Sequence, residues 1–576
     1  MHGRGTEIGS FSGRLAIWRN AAQWGQTLRW LNLRGRGGSP DGASQPGIVG
    51  PGGPTSQGEG LALAAAINSL GNVSSRILGL VREAAIASLF GASGSTSAFD
   101  AISGVPKMAY ELLVGGMLSA ALVPVLSEYD SEEQAGELER VLSILLSLAG
   151  VVLIVVVVML ELGARWVAPL LLGGFGAHLL RVATRLARII LPSILIYGLS
   201  GIFQAYHYAR KRFVYPAAGA PAHNLGMIIA VLLLAPRLGI AALSVGVLAA
   251  AGAQLLVQLP GLRGVRLSLN FDWRHPAVRR ILRLYAPVVL SIVIANVGII
   301  IDRNLASRTA KEAITWMNKA TFLIQLPLGL VSMAISLAVL PTLSQIDATK
   351  ELDSFKRTFA RGLRLVLVVI IPAAVGLFAL GEPVIELIFQ RGEFTPHDSM
   401  QTWRALRYYL PGLPFAAIDL PLIFAFYAQK DTITPVAVGI GSVLIYLAVG
   451  PALAFVVGWG FLGLVVANSV QLTSHALIML VLFSRRFQGL RGYGVARTTL
   501  KAALASLVVA GLSRGTYVVL GRAHLLSGIA NSILIVSVGV GLGAVGYVVV
   551  ARLLHIEEVE ALWGVVRRRL GSPRPS

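Results

Sequence analysis

The stretch Val141-Leu-Ser-Ile-Leu-Leu-Ser-Leu-Ala-Gly-Val-Val-Leu-Ile-Val-Val-Val-Val-Met-Leu160 decides the fold class. It carries no charge and matches the ~20 apolar residues that a helix needs to cross a bilayer. Across the 576 residues, 55% are hydrophobic and only 13% are charged. A soluble fold could not bury so much apolar sequence, because most of its surface faces water. The composition predicts a polytopic membrane protein built from helices and excludes a soluble enzyme, a nucleic-acid-binding protein and a disordered scaffold.

Similar apolar runs recur along the chain after residue 60. The preceding segment, 1–60, is rich in Gly, Ser, Pro and Arg, and it lacks both a membrane-crossing run and the cleavage site of a signal peptide. We interpret it as a disordered, basic cytoplasmic tail. We predict about fourteen transmembrane helices, at 61–90, 96–126, 141–160, 189–209, 216–234, 240–259, 281–301, 314–343, 365–381, 410–427, 433–457, 461–483, 500–520 and 529–549.

Lys and Arg are concentrated in alternate loops. The loops Ala209–Tyr215, Gly261–Arg280 and Ser484–Arg497 each carry several, whereas Gly91–Ser95 and Gly458–Gly460 are short and uncharged. Because cytoplasmic loops collect Lys and Arg, this pattern places both termini in the cytoplasm and agrees with an even number of spans. Much of the net charge of +21 is then an orientation signal.

Two pairs of segments repeat at nearly the same offset along the chain. SAALVPVLS around Pro124 resembles SLAVLPTLS around Pro341, and YARK before Pro216 resembles YAQK before Pro435. We call Pro124 with Pro341 the first proline pair and Pro216 with Pro435 the second proline pair. A generic helix-end pattern would explain one pair, but not two nearly equal offsets. The spacing predicts two six-helix lobes of the same orientation, related by an axis along the membrane normal, around a central cavity.

This repeat divides the chain into five parts. We predict the tail at 1–60, an N-lobe at 61–262, a C-lobe at 279–484, two further helices at 497–554 and a cytoplasmic C-terminal tail at 555–576.

Ionisable side chains inside spans are candidates for function, because each costs at least ~2.5–3.5 kcal/mol to insert. Arg76 and Arg82 in the first span lie ~120° apart on a straight helix, so a bend at Gly79 would let both face one cavity. The alternative for Arg82 is that it snorkels or pairs with Glu83. Further candidates for the cavity wall are Asp100, Lys107, Glu111, Asn224, Asn296, Asp302, Arg303, Lys319, Gln325 and Asp419.

Motifs for catalysis or metal binding are absent from the sequence. It has no Cys, no H-E-x-x-H, no G-x-S-x-G and no P-loop. We therefore expect no enzymatic activity, no catalytic residue, no metal site and no cofactor. Acidic and basic residues in the spans are balanced, so the residues alone support a polar cavity in which Arg could clamp a phosphate.

The segment Ser75-Arg-Ile-Leu-Gly-Leu-Val-Arg-Glu-Ala84, followed by Phe90-Gly-Ala92 and Ser97-Ala-Phe99, resembles a known signature. It is that of the MurJ (MviN) family of lipid II flippases, in the multidrug/oligosaccharidyl-lipid/polysaccharide exporter superfamily. The resemblance runs from about Leu61 to the last helices. Further matches are GMLSAALVP at 116–124, QLPLG at 325–329, LPTLS at 340–344, FQRGEFT at 389–395 and FYAQKDT at 426–432.

The resemblance implies fourteen helices in two lobes plus two helices that form a groove for a lipid tail. It implies a bacterial inner-membrane protein that moves lipid II, the undecaprenyl-pyrophosphate-linked peptidoglycan precursor, from the inner to the outer leaflet by alternating access. Arg76 and Arg82 would bind the headgroup, with Glu83 as acidic partner.

Three positions depart from the family pattern. Ser97 replaces an Asp, Tyr110 replaces a basic residue and Phe322 replaces an Arg. We expect Lys319 and Arg303 to substitute as headgroup ligands, or else the cargo differs.

The cargo, the energy source and the partners leave alternatives open. The chain could export another lipid-linked glycan or a drug, or serve as a non-transporting scaffold. The drive would be the membrane potential or a cation gradient, with Asp302 and Asp419 as candidates for cation or proton coupling. Helix pairing is the alternative role for each. We expect a monomer that works with cell-wall synthesis proteins and binds no nucleic acid.

Overall fold

The structure, a computed structural model, describes residues 54–115, 117, 121–129, 134–348, 350–523, 528–561 and 564. Within these residues it is helical, with no strand, which confirms the all-α polytopic fold. Residues 1–53 of the predicted tail, and the C-terminal tail beyond 564, lie outside the described residues. The first helix begins at Pro54, somewhat before the predicted start at Leu61.

The helices follow the predicted spans, several of which are divided by short breaks. They are α1 (Pro54–Phe90), α2 (Gly94–Ile102), α3 (Gly104–Tyr110), α4 (Val123–Ser127), α5 (Ala135–Leu171), α6 (Ala177–Ile190), α7 (Ser193–Ala209), α8 (Val214–Leu238), α9 (Ala241–Leu256), α10 (Pro276–Ser307), α11 (Ala313–Pro327), α12 (Met333–Gln345), α13 (Leu352–Phe389), α14 (Pro396–Tyr409), α15 (Leu413–Ala428), α16 (Ile433–Pro451), α17 (Phe461–Phe487), α18 (Val495–Ala523) and α19 (Ile529–Leu553).

Eleven helical stretches in the described part are long and apolar enough to cross a membrane. They match eleven of the fourteen predicted spans. The other three predicted spans, 61–90, 96–126 and 281–301, correspond to α1, to α2–α4 and to α10, and each includes residues whose side chains lie outside the described set.

Two backbone irregularities of the N-lobe recur in the C-lobe at the repeat offset. A π-helical turn spans Glu111–Gly115 in the N-lobe, and another spans Leu328–Ser332 in the C-lobe, at the same offset as the first proline pair. Lys211 and Lys430 have the same unusual positive φ, at 56° and 61°, and they share the offset of the second proline pair. Since most non-glycine residues avoid positive φ, two such residues at the repeat offset mark the same turn in each lobe. The predicted repeat is therefore confirmed.

Small residues bring the helices together and large apolar side chains face outward. A Cβ on Gly226 of α8 would lie 2.9 Å from the Cβ of Ala253 on α9, so these helices pack at close range. Leu162, Leu233 and Val456 are 72%, 69% and 85% exposed. Exposed residues of this kind suit a surface that contacts lipid, where small residues rather than large ones mark the helix interfaces.

Helices α18 and α19 pack on each other and on α13 of the C-lobe. The Tyr547 hydroxyl of α19 donates a hydrogen bond to the Val368 carbonyl of α13 at 2.6 Å. The described residues from 61 onward form one compact unit, and the predicted boundaries between the lobes and the last two helices stay a prediction.

Two loop contacts join the lobes at one end of the bundle. In the first loop contact, the Glu393 N–H donates to the Ser88 carbonyl at 2.9 Å, and a Cβ on Gly392 would overlap that carbonyl. In the second loop contact, the Gly174 N–H donates to Ser307 Oγ at 3.0 Å, and a Cβ on Gly174 would lie 2.5 Å from the Ser307 carbonyl oxygen. The two contacts are repeat-related, because Ser88 and Ser307 are separated by the same offset as the second proline pair. They close the end that the loop charges predict to be outside.

Candidate functional site

A cavity of about 680 Å³ lies between the two lobes. Helices α1, α2, α3, α7, α8 and α9 form its N-lobe wall, and α10 and α11 form its C-lobe wall. A polar lining within membrane spans is tolerated where it borders water or binds a polar ligand. The polar lining residues are Ser75, Arg82, Glu83, Asp100, Ser103, Lys107, Tyr110, Glu111, Tyr197, His223, Asn224, Gln254, Arg303, Asn318, Thr321 and Gln325.

Arg82 is held in place at the cavity wall by two side chains. Its Nη1 donates to Asn224 Oδ1 at 2.7 Å, and its Nη2 donates to Glu83 Oε1 at 2.7 Å. Asn224 is itself oriented, because its Nδ2 donates to the Ser75 carbonyl at 2.9 Å. A guanidinium has five N–H donors, so these two contacts leave donors for an anionic ligand. Arg82 therefore combines a fixed position with spare hydrogen-bonding capacity.

Glu83 is neutralised from behind the cavity wall by Lys319. Lys319 Nζ donates to Glu83 Oε2 at 2.5 Å, and this lysine is only 2% exposed. Lys319 does not line the cavity, which differs from its predicted role as a direct headgroup ligand. The reason is that Glu83 lies between Lys319 and the open space. With the Glu83 charge shared by two cations, the electrostatic balance around Arg82 favours an anion.

A second cationic side chain, Arg303 near the end of α10, lines the cavity wall that faces Arg82. Its Nη2 donates to Asn318 Oδ1 on α11 at 2.6 Å. The guanidinium lines the cavity on the C-lobe side, whereas Arg82 lines it on the N-lobe side. Two arginines from different lobes therefore border one space, an arrangement suited to a ligand with more than one negative charge.

Asp100 and Ser97 connect the lobes above the cavity. Thr315 Oγ1 donates to Asp100 Oδ2 at 2.9 Å and lies 3.1 Å from Ser97 Oγ. Ser97 is fully buried, and the departure from the family's Asp at this position leaves a small hydroxyl that fits between α2 and α11. Lys107 and Glu111 pair loosely, at 3.9 Å, with side chains 77% and 46% exposed.

Arg76 lies apart from the cavity wall, against the C-lobe. Its Nη1 donates to the Gln325 carbonyl at 3.2 Å, and a Cβ on Gly329 would overlap its guanidinium. Helix α1 continues without interruption through Gly79, so the two arginines keep their separate faces. Arg82 faces the cavity, while Arg76 contacts the seam between α1 and α11.

Three predicted residues lie in other places. Asn296 lines a separate apolar cavity of about 330 Å³ between α3, α5 and α10. Asp302 accepts a hydrogen bond from the Tyr446 hydroxyl of α16. Asp419 of α15 lies 2.6 Å from His475 Nδ1 of α17. The last two contacts tie helices together within the C-lobe, outside the wall of the central cavity.

Sequence reasoning missed several polar residues of the cavity. Asn318, Thr321 and Tyr197 line the cavity but carry no charge, so a search for ionisable groups passes over them. A search for any strong hydrogen-bonding side chain within a span would have found Asn318, which is adjacent to Lys319. His223 also lines the cavity. Clusters of three or more potential metal ligands are absent among the described residues.

Fold and site together define a polytopic membrane transporter with two repeat-related lobes and a cavity adapted to a charged, hydrated group. The profile of the family described as "Lipid II flippase MurJ" matches residues 86–537. The chain belongs to this family, which confirms the resemblance seen in the motifs.

Relatives match over most of their length. The probable lipid II flippase MurJ of Vibrio cholerae is 29% identical over 505 residues, covering 84% of this chain and 94% of the relative. The lipid II flippase MurJ of Burkholderia cenocepacia is 30% identical over 455 residues, covering 76% of this chain and 86% of the relative.

Solved structures show the same fold. A lipid II flippase MurJ in an inward closed conformation superposes with a TM-score of 0.70 at 22% identity, covering 85% of this chain and 99% of that structure. An inward-facing transporter of the multidrug resistance MATE family, in the MOP superfamily, has a TM-score of 0.60 at 12% identity and covers 72% of this chain and 95% of that structure.

Proposed function

We propose that this chain is a flippase for lipid II, moving its pyrophosphate-sugar headgroup from the inner to the outer leaflet by alternating access. Transfer of such a headgroup through hydrocarbon is prohibitive without compensating contacts. The central cavity supplies a polar path between the lobes, while the lipid tail can stay in the membrane. Family membership and the names of the relatives support this cargo.

The observation that carries the proposal is the environment of Arg82. Asn224 and Glu83 fix its guanidinium, and Lys319 neutralises Glu83 at 2.5 Å. Arg binds phosphate oxygens through parallel hydrogen bonds and keeps its charge at every physiological pH. Arg303 on the facing lobe provides a second cation for the same pyrophosphate.

The two loop contacts support an inward-facing state. If the termini are cytoplasmic, the end closed by Ser88 with Gly392–Glu393 and by Gly174 with Ser307 is the outer one. A headgroup would then enter from the inner leaflet, and release would require these contacts to separate. Because lobes of parallel-repeat transporters rock about a fixed central site, both contacts would open together.

The remaining features complete the proposal. The protein acts as a transporter rather than an enzyme, in the bacterial inner membrane, with both termini cytoplasmic and without a cofactor. It works as a monomer near cell-wall synthesis proteins. The membrane potential or a cation gradient drives the cycle, and the pairs Asp302–Tyr446 and Asp419–His475 are the places in the C-lobe where a cation or proton could act.

Replacement of Arg82 by Ala tests the proposal. In bacteria depleted of their own flippase, the parent chain should restore outward exposure of lipid II, measured by modification of the headgroup from outside the cell. Arg82→Ala should reduce exposure at least ~100-fold, since charge-assisted hydrogen bonds contribute about 1.5–3 kcal/mol each and two are lost. The control Arg404→Ala removes an exposed arginine of α14 and should behave as the parent. Full activity of Arg82→Ala at normal expression would contradict the proposed role of the cavity.

A further inference from the structure

Three aromatic side chains of the N-lobe line one wall of the central cavity. They are Tyr110 of α3, Tyr197 of α7 and His223 of α8, and together we name them the aromatic shelf. The ring centroids of Tyr110 and Tyr197 are 6.2 Å apart, and those of Tyr197 and His223 are 5.8 Å apart with planes at 30°. The Tyr110 and Tyr197 ring planes are tilted by 53°, and all three side chains are partly exposed, so each ring presents part of its surface to the cavity.

The rings of the shelf are fixed before any ligand arrives. The Tyr197 hydroxyl and His223 Nε2 are 2.8 Å apart and share a hydrogen bond. Tyr110 lies between two glycines, because a Cβ on Gly201 would come within 2.8 Å of its ring and a Cβ on Gly115 within 2.9 Å. Gly115 ends the π-helical turn that follows Tyr110 directly. Any larger residue at either glycine would displace the ring.

The shelf begins next to the arginine that would hold the pyrophosphate. His223 precedes Asn224 in α8, and Asn224 Oδ1 accepts the 2.7 Å hydrogen bond from Arg82. In a lipid-linked glycan the first sugar is bonded directly to the pyrophosphate. A ligand whose phosphates bind Arg82 therefore has a sugar ring within reach of Tyr197 and His223.

Aromatic faces suit a sugar and do not suit a phosphate. The ring face carries the negative end of the quadrupole, which attracts the weakly positive C–H groups of a pyranose and repels anionic oxygens. The Tyr110 and Tyr197 hydroxyls can also exchange hydrogen bonds with sugar hydroxyl or acetamido groups. The basic residue expected at position 110 from the family pattern would instead have added a second phosphate ligand.

We propose that the aromatic shelf is the binding site for the first sugar ring of the cargo, and that it selects glycosylated over bare polyprenyl pyrophosphate. This inference rests on the proposed function, since it takes Arg82 as the pyrophosphate ligand. At position 110, a tyrosine that contacts the sugar then replaces the basic residue of the family pattern, which would contact phosphate. Phosphate binding is left to Arg82 and Arg303.

Binding of two probes to the purified full-length chain tests the inference. The probes are lipid II and undecaprenyl pyrophosphate, which share the pyrophosphate and the tail and differ in the sugars. Titration with native mass spectrometry should show that the parent prefers lipid II. Tyr197→Ala should weaken lipid II binding about five- to tenfold and leave undecaprenyl pyrophosphate unchanged, as expected for loss of one aromatic contact. Tyr197→Phe keeps the ring and should retain most of the preference.

The controls separate the shelf from the pyrophosphate site and from misfolding. Tyr110→Ala is the second shelf variant and should show the same selective loss if Tyr197→Ala proves unstable. Tyr427→Ala removes a tyrosine outside the cavity, 41% exposed, and should bind both probes as the parent does. Arg82→Ala should weaken both probes together. If it weakened neither while the shelf variants still lost lipid II selectively, Arg82 would be ruled out as the pyrophosphate ligand and sugar binding at the shelf would stand. The proposal that the shelf binds the first sugar would be overturned if the folded shelf variants weakened binding of both probes equally, or if they did not weaken binding of lipid II.

Discussion

The buried ion pair between Lys319 and Glu83 predicts how the closed state is maintained. Lys319 belongs to α11 of the C-lobe and Glu83 to α1 of the N-lobe, so the 2.5 Å contact crosses from one lobe to the other. Breaking a buried pair by removing one partner costs about 3–5 kcal/mol, because the remaining charge loses its compensation. The size of the effect should depend on which partner is removed.

The two single substitutions leave different charges behind. After Lys319→Met, Glu83 still accepts from Arg82 at 2.7 Å, so we expect a cost of about 2 kcal/mol, below that range. After Glu83→Gln, the 2%-exposed lysine loses its counter-charge, and we expect the full cost of about 3–5 kcal/mol. Since about 1.4 kcal/mol is a factor of ten, the closed state should lose about 30-fold in the first variant and at least ~100-fold in the second.

Thiol labelling measures this shift directly. The chain has no cysteine, so a single Ser97→Cys reports without background. Ser97 is fully buried beneath the closed end, and a membrane-impermeant thiol reagent added outside should react only when that end opens. Labelling should be slow in the parent, faster with Lys319→Met and fastest with Glu83→Gln.

The double variant decides between pairing and general damage. Glu83→Gln with Lys319→Met removes both charges, so labelling should fall back toward the parent rate. If the effects of the two substitutions simply added, or if neither altered labelling, the reasoning from the ion pair would be refuted.

Two further predictions concern loops. Gly392→Ala should open the first loop contact and speed thiol labelling at position 97, because the new Cβ would overlap the Ser88 carbonyl. Gly239 has a similar positive φ, 53°, but open space around it, so the control Gly239→Ala should label at the parent rate. Burial raises the pKa of Asp431, but hydrogen bonds from Thr434 and the charge and hydrogen bond of Arg486 outweigh it and hold that pKa below its usual value. The ionised Asp431 therefore stabilises the fold at any pH above the usual Asp pKa, and this stabilisation is lost as pH falls through the lowered pKa. Asp431→Asn should reduce the free energy of unfolding by about 1 kcal/mol at pH 7. In acid, the thermal unfolding temperatures of variant and parent should converge.

The spans and the repeat could be predicted because each depends only on the order of residues along the chain. The length of an apolar run such as 141–160 can be counted directly in the sequence. The offset between Pro124 and Pro341 can also be counted, without knowing any distance between helices. The structure adds the π-helical turns at the same offset, which composition does not encode.

The candidate site was harder to predict because it depends on distances between helices. The sequence shows Arg76 and Arg82 on different faces of α1, and it does not show which face meets the cavity. The sequence shows Lys319 as an unusual charge within a span, but its pairing with Glu83 depends on contact between helices that are far apart in the chain. Tyr197 and Asn318 carry no charge, so they gave no signal until their surroundings were known.

The loop contacts have a consequence for an organism that stores energy as ion gradients across this membrane. A wide aqueous cavity would short-circuit those gradients if both ends opened at once. The first loop contact closes its end with main-chain N–H and carbonyl groups. Main-chain groups have no proton to gain or lose near neutrality and no net charge for salt to screen. In the proposed orientation this end faces outward, so the barrier should stay equally tight as external acidity and salinity change, conditions that a cell cannot control.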